Sequence, residues 1–495
     1  MALKWPIKKS QFKDFTGSTL LTLPTLDATL AEPLHRQLYR HLRTAIVEKR
    51  LAAGSRLPSS RSLAQQLGIS RNTVVAALEQ LQDEGFLESR HGSGTRIALP
   101  SGGVDMPEPG PLPPQSGNRP LSRLGESLSR IDGPNLRGSL LPLGVGVPAL
   151  DAFPARDWSR LLARRWRRPA GTLMGQSPTA GFPALRQAIA HHLGGARGVR
   201  CEADQIIIVS GAQQGLDLTA RLLLNPGDLA LVEDPGYGGL RGVLAGCGAI
   251  AAPVPVDALG FDPTLAERLW PHARLTCVTP SHQFPTGATM PAERRLALID
   301  WAARVGGWII EDDYDSDFRY GGRPLASLQG LDPAQRTIYC GSFSKSMFPA
   351  LRLGFLVVPP DLLEPMLRLR RLADTAPSTL PQAAMADFMA EGHYAAHLRR
   401  MRQLYGERRD ALLAAARQHF QVTIGEAGTH AIAWLPPHLD DRIIAEEAYR
   451  QGMAPHALSG NRHAPGPPAL VLGYGNTPAE QMPGLLRRLA ALTKC

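Results

Sequence analysis

Five short apolar runs between residues 206 and 340 are each followed at once by a turn of anion-binding or reactive residues. Ile206–Val209 leads into Ser210-Gly211-Ala212-Gln213-Gln214, and Leu229–Val232 into Glu233-Asp234-Pro235-Gly236-Tyr237. Leu275–Thr279 precedes Pro280-Ser281-His282-Gln283-Phe284-Pro285-Thr286-Gly287, and Trp308–Ile310 precedes Glu311-Asp312-Asp313-Tyr314. The fifth run, Thr337–Cys340, ends in Gly341-Ser342-Phe343-Ser344-Lys345. Gly211, Ala212 and Gln213 open a helix, where backbone N–H groups and a positive dipole end attract an anion. Ser342, Ser344 and Arg352 add hydroxyl and guanidinium donors for the same anion. Lys345 lies at a strand end among small residues, where partial burial lowers its basicity and suits it to Schiff-base chemistry. Asp312 and Tyr314 supply a carboxylate and a phenol two residues apart.

A phosphorylated pyridine aldehyde, pyridoxal 5'-phosphate, uses these groups together. The lysine meets its aldehyde, the aspartate its ring N–H and the tyrosine its ring hydroxyl; Tyr237 is the expected stacking face. Singly, each residue has a plainer reading: a loop lysine, or an Asp-Asp-Tyr turn. The ordered set carries the expectation.

Such turns meet only if the strands run the same way. Strands alternating with helices after about residue 138 predict a mostly parallel sheet with helices on both faces. Ligands in such sheets bind beyond the carboxyl ends of the strands, where all five turns gather.

The N-terminal hundred residues have another grammar. Leu34, Leu38, Leu42, Ala45 and Ile46 form the apolar stripe of a first helix. Leu57-Pro58-Ser59-Ser60-Arg61 starts a second helix, which Gly68 ends; Ser70 caps a third, whose first turn exposes Arg71, Asn72 and Thr73. Two short helices joined by a tight turn predict a helix-turn-helix, the second entering a DNA major groove. Residues 85–97 then read as a hairpin wing, its tip at His91-Gly92-Ser93-Gly94. Residues 1–100 hold 14 Lys/Arg against 8 Asp/Glu, a net +6 of the chain's +10, which suits a polyanionic partner.

Between the modules, 99–120 contains seven prolines and four glycines, an extended linker of roughly 65–70 Å at polyproline rise. The expected division is a tail at 1–29, a DNA-binding domain at 30–98, a linker at 99–137 and a large domain at 138–495. No apolar run approaches the roughly 18 residues of a membrane helix. Five scattered cysteines, at 201, 247, 277, 340 and 495, lack metal spacing and suit reduced thiols in a cytoplasm. No metal site is expected.

The order LPSSRSLAQQLGISRNTVVAALEQLQDEGFLESRHGSGTRI resembles the winged helix-turn-helix of the GntR family over nearly all of 32–98. That resemblance implies DNA contacts from Arg61, Ser70, Arg71, Asn72 and Thr73, with His91 and Gly92 on the wing. Residues 138–495 resemble the fold-type I, aspartate aminotransferase-like, pyridoxal-phosphate enzymes, with S-F-S-K-x6-R as the lysine segment. The resemblance implies an α/β transferase fold with a small C-terminal α+β subdomain. It puts the aldimine lysine on Lys345, the pyridinium partner on Asp312 and the phenolate partner on Tyr314. The phosphate cup falls on Gly211, Ala212, Gln213, Ser342, Ser344 and Arg352. Two departures stand out. Phe284 occupies the place of an asparagine that bonds the ring hydroxyl, leaving His282 or Gln283 as substitutes. A substrate-carboxylate arginine is expected on the late strand near Ala469, and the nearest upstream arginine is Arg462.

Together the modules resemble the MocR/GabR group of bacterial transcriptional regulators. The group implies a cytoplasmic homodimer on double-stranded operator DNA, biased by pyridoxal phosphate and a small amine or amino-acid effector. Two other readings remain open: a working aminotransferase carrying a DNA-binding domain, and a regulator that senses pyridoxal phosphate itself.

Overall fold

Two serine caps and the left-handed Gly68 set the helix ends of the N-terminal unit. The computed structural model describes residues 26–90, 94–98, 119–131, 140–167, 171–321 and 325–494. Helix α1 (Leu34–Val47) is followed by α2 (Ser60–Leu67), where Ser59 accepts from the Ser62 N–H. Gly68 ends α2 at φ +66°, a conformation that costs a side chain but not glycine. Ser70 then caps α3 (Arg71–Asp83) by accepting from the Thr73 N–H at 3.1 Å. The wing is β1 (Leu87–Arg90) paired antiparallel with β2 (Gly94–Ile97), in register Leu87↔Ile97. Leu38, Leu42, Leu63, Val74, Leu81, Leu87 and Ile97 close one core beneath the helices and wing.

The chain divides at Arg119–Pro120, inside the interval read as a linker. Within that interval α4 (Arg123–Ser129), capped by Ser122, packs on a helix of the large unit. The large unit continues with α5 (Ala155–Arg167), α6 (Gly171–Met174) and α7 (Pro183–Arg197). Next come β3 (Ile206–Val209), α8 (Ala212–Leu223), β4 (Leu229–Asp234), α9 (Gly239–Gly246) and β5 (Ile250–Pro255). It is α9 that receives α4. The sheet is completed by β6 (Leu275–Val278), β7 (Trp308–Asp313), β8 (Thr337–Ser342) and β9 (Gly354–Val357).

The seven strands lie in the order β3-β9-β8-β7-β6-β4-β5. Strands β4 to β8 pair parallel throughout; β9 runs against both β8 and β3, which turns β3 back into the common direction. All five expected turns therefore leave the sheet at one rim. Several strands run longer than the sequence pattern suggested: β7 extends to Asp313 and β8 to Ser342, so key polar residues stand on strand ends. Burial on both faces explains the unbroken apolar runs, as in Ile206–Val209, where every residue is buried. A second sheet joins β10 (Gln421–Thr423), β11 (His430–Trp434), β12 (His456–Ala457) and β13 (Ala469–Gly473) in the order β10-β11-β13-β12. No described helix is long and apolar enough to cross a membrane.

Candidate functional site

Strand alternation separates two adjacent carboxylates at the rim. Side chains two apart on a strand share a face, so Asp312 lies with Ile310, which packs among Cys277 and Cys340. Glu311 and Asp313 turn the other way. Asp313 Oδ2 takes Arg197 Nε at 2.9 Å and the Tyr339 hydroxyl, while Glu311 accepts the Leu328 and Gln329 N–H groups at 3.0 Å. Both are structural ties. Asp312 Oδ1, by contrast, is buried without a hydrogen-bond partner among the described residues. Burial, helped by Asp313, Glu233 and Asp315, pushes its carboxyl up to about 7, with Lys345 opposing. A cationic ring N–H at this oxygen would meet an acceptor that otherwise goes unused.

Lys345 follows β8 and donates from Nζ to the Gly146 carbonyl at 2.6 Å. Burial lowers its basicity, with Asp315 and Asp312 acting against the shift. A reactive amine needs its lone pair, so that lowering favours attack on a carbonyl. Tyr314 places its hydroxyl 3.0 Å from His282 Nδ1, which also lies 3.0 Å from Asp315 Oδ2. Of the two substitutes for the missing asparagine, Gln283 is already occupied. Its Nε2 donates to Glu233, Pro235 O and Phe284 O, and its Oε1 accepts from Thr286. His282 alone reaches the tyrosine.

The anion end forms where β3, β9 and β8 adjoin. Gly354 of β9 pairs with Val209 on one side and with Ser342 on the other. Gly211 caps α8 at φ +109°, and a Cβ there would fall 3.5 Å from the Arg352 guanidinium. The helix start, Arg352 and Ser342 thus converge. Ser342 Oγ itself accepts the Ser344 N–H at 3.1 Å, which closes the turn. Tyr237 donates to Gln213 Oε1 at 3.0 Å and shares a cavity lining with Asp312, Cys277, Thr279 and Asn461. Burial and the nearby Asp312 push the Tyr237 phenol up to about 12, so it stays a neutral face. A buried amine, an idle carboxylate oxygen and a glycine-lined anion cradle fit pyridoxal phosphate.

Several participants were not evident from the sequence. Gly146 at φ +79° leaves room for Lys345, since a Cβ there would lie 2.4 Å from Nζ. Segment Ser459–Pro468, whose composition predicts flexibility, is pinned over the β4 turn: Gly236 N donates to Asn461 O, and His463 N and Ala464 N donate to Asp234. His282, Asp315 and His430 keep donor atoms within 4.8 Å of one another. His430 Nε2 meets Pro285 O at 3.1 Å, so this group is a hydrogen-bond cluster rather than a set of free ligands.

In the N-terminal unit, Arg61, Arg71 and Asn72 are exposed, while Thr73 is half-buried against the Ser70 cap. Arg56, not singled out by the sequence, lies against Gly94 of the wing, where a Cβ would come 2.7 Å from its Nε. His91 and Gly92 lie outside the described residues.

Residues 34–97 match the family described as bacterial regulatory proteins, gntR family, and residues 139–458 match aminotransferase class I and II. The probable rhizopine catabolism regulatory protein MocR of Rhizobium meliloti is 40% identical over 463 residues, 92% of this chain and 93% of that protein. The chain belongs to the MocR-type, GntR-family transcriptional regulators. A second MocR-type relative, the HTH-type pyridoxine biosynthesis transcriptional regulator PdxR of Corynebacterium glutamicum, is 36% identical and covers 75% of this chain and 76% of its own length. The solved kynurenine aminotransferase of Pyrococcus horikoshii superposes with a TM-score of 0.67 at 26% identity, covering 76% of this chain and 95% of its own. LysN, the α-aminoadipate aminotransferase of Thermus thermophilus, solved with N-(5'-phosphopyridoxyl)-L-leucine, gives 0.67 at 27% identity over 75% and 95%. This MocR-type chain therefore joins a DNA-binding winged helix to a fold-type I aminotransferase-like domain.

Proposed function

We propose that this regulator binds pyridoxal phosphate at the rim of the large sheet and senses a small amine through Lys345. The observation that carries the reading is the unpartnered, buried Asp312 Oδ1, set in one site with the Lys345 amine and the Gly211–Arg352 cradle. Lys345 would hold the cofactor's carbonyl carbon and Asp312 its ring nitrogen. Tyr314, oriented by His282, would meet the ring hydroxyl, with Tyr237 against the ring. Gly211, Ala212, Gln213, Ser342, Ser344 and Arg352 would receive the phosphate. When bound, pyridoxal phosphate supplies an aldehyde that condenses reversibly with primary amines, releasing water.

A free amine taken up at the same carbon would leave Lys345 as a free amine, and its bond to the Gly146 carbonyl is the contact that would differ between the two states. An effector acts only through such a difference in affinity between two states. The N-terminal unit would read operator DNA with Arg61, Ser70, Arg71, Asn72 and Thr73, and a two-fold dimer would place two such units on paired half-sites. This regulatory role is proposed for the cytoplasm. Gel-shift titration of the neighbouring promoter with cofactor, then with cofactor plus amines, tests it. Affinity should change on adding the amine; affinity indifferent to both additions would overturn the reading.

A further inference from the structure

Among the described residues, none places a fixed cation on the face of the small sheet that carries the expected arginine position. Residues paired across antiparallel strands point to the same side of a sheet. Trp434↔Ala469, Ile432↔Val471 and His430↔Gly473 pair along β11 and β13, and His456↔Val471 pairs along β12 and β13. Ala469, Val471, Gly473, His430 and His456 therefore share one face. That face covers the segment beneath Lys345: Val145 packs with Ile432, Ala469 and Val471, and Gly473 abuts Gly144 O. The next residue but one, Gly146, receives the Lys345 amine.

Where an arginine would grip a carboxylate, the strand is Ala-Leu-Val-Leu-Gly. Arg462, the nearest upstream candidate, folds onto its own loop; a Cβ at Gly466 would fall 1.4 Å from its guanidinium NH1. Aromatic rings flank His430. Phe284 meets the His430 ring at 5.3 Å and the Tyr314 ring at 6.0 Å. His456 Nε2 is buried without a hydrogen-bond partner among the described residues. Burial and the Lys345 charge both lower the basicity of His430 and His456, which leaves them neutral imidazoles that donate or accept hydrogen bonds. An ionised carboxylate brought here would lose its hydration against apolar and neutral groups, a costly transfer. A hydroxyl would gain a partner in His456.

We infer that the effector is an amine without a carboxylate, carrying neutral hydroxyl groups, and that His456 with His430 recognises them. This rests on the proposed cofactor reading. The effector is of the amino-alcohol or amino-sugar class, and the specificity lies on β11 and β12 of the small sheet.

The test uses the full-length protein loaded with pyridoxal phosphate, with its visible absorption recorded first. Serinol and glucosamine are then titrated against alanine and γ-aminobutyrate, following the spectral shift. Either hydroxylated amine should act at roughly tenfold lower concentration or less than both carboxylated ones, a difference of about 1.4 kcal/mol. His456→Arg restores a cation on this face and should reverse the order of preference; His456→Gln should keep it. Carboxylated amines acting at lower concentration in the unaltered protein would overturn the inference, whatever the variants do. Equal potency of the two classes would overturn it as well. Absence of any cofactor absorption before titration would count against the cofactor reading instead, so the two failures are distinguishable.

Discussion

Asp312 and Asp313 are neighbours in sequence and opposites in duty: Asp313 grips Arg197 at 2.9 Å, while Asp312 Oδ1 has no hydrogen-bond partner among the described residues. Removing each should therefore do different damage. Asp313→Ala leaves the buried Arg197 guanidinium, still donating to Ser281 Oγ and Leu325 O, without its carboxylate partner and should destabilise the large unit by about 3–5 kcal/mol. Asp312→Asn should cost no stability, and should gain some above about pH 4, but should weaken pyridoxal phosphate binding at least tenfold. Urea unfolding and equilibrium cofactor titration separate the two effects; matched stability losses would contradict the assignment.

The same carboxyl predicts a pH dependence. Folding raises Asp312 from 3.8 to about 7 and Glu233 from 4.5 to about 7, both chiefly by burial. Between those values the folded protein binds more protons than the unfolded chain, so stability falls as pH rises from about 4 to 7 and then levels. Each group contributes a slope of at most about 1.4 kcal/mol per pH unit. Cofactor-free Asp312→Asn should show a shallower decline than the unaltered protein. Denaturant midpoints across that pH range decide it, and identical slopes would remove Asp312 from the account.

Gly211 is held at φ +109°, and Arg352 stands where a side chain would point. Gly211→Ala should cost about 1–3 kcal/mol of backbone strain and crowd the anion cradle. Cofactor should dissociate at least tenfold more readily, with its absorption unchanged once the site is saturated. An unaltered dissociation constant would place the phosphate elsewhere.

Arg71 opens α3 as an exposed residue beside the Ser70 cap, whereas Arg56 lies on the wing glycine. Arg71→Ala should cost about 1–3 kcal/mol of operator affinity and relax base preference at one position. Arg56→Ala should weaken all DNA alike and reduce the salt slope by about one. Competition binding over a range of salt concentrations reads both. Loss of sequence preference from Arg56→Ala but not Arg71→Ala would exchange their roles.

Much of this was legible in the sequence because local rules agreed with the fold. Ser59, Ser70 and Gly68 sit where helix termini require them, and continuous apolar runs announced strands buried on both faces. The rim residues could be read because each turn directly follows its strand. What escaped is non-local. His430 and His456 look like ordinary core histidines until register with β13 brings them to one face. Glycine 146 meets Lys345 across 199 residues, a contact that no local pattern encodes. The 459–466 loop is rich in breakers, yet it is tied down by Asp234 carboxylate acceptors far upstream.

One buried amine, that of Lys345, is expected to take the cofactor within a DNA-binding regulator. Incubating the purified protein with pyridoxal phosphate, reducing with borohydride and mapping the adduct by mass spectrometry tests it most directly. A single phosphopyridoxyl group on Lys345, lost in Lys345→Ala, is the predicted result. A protein left unlabelled, or labelled on other lysines with Lys345 intact, would contradict the account.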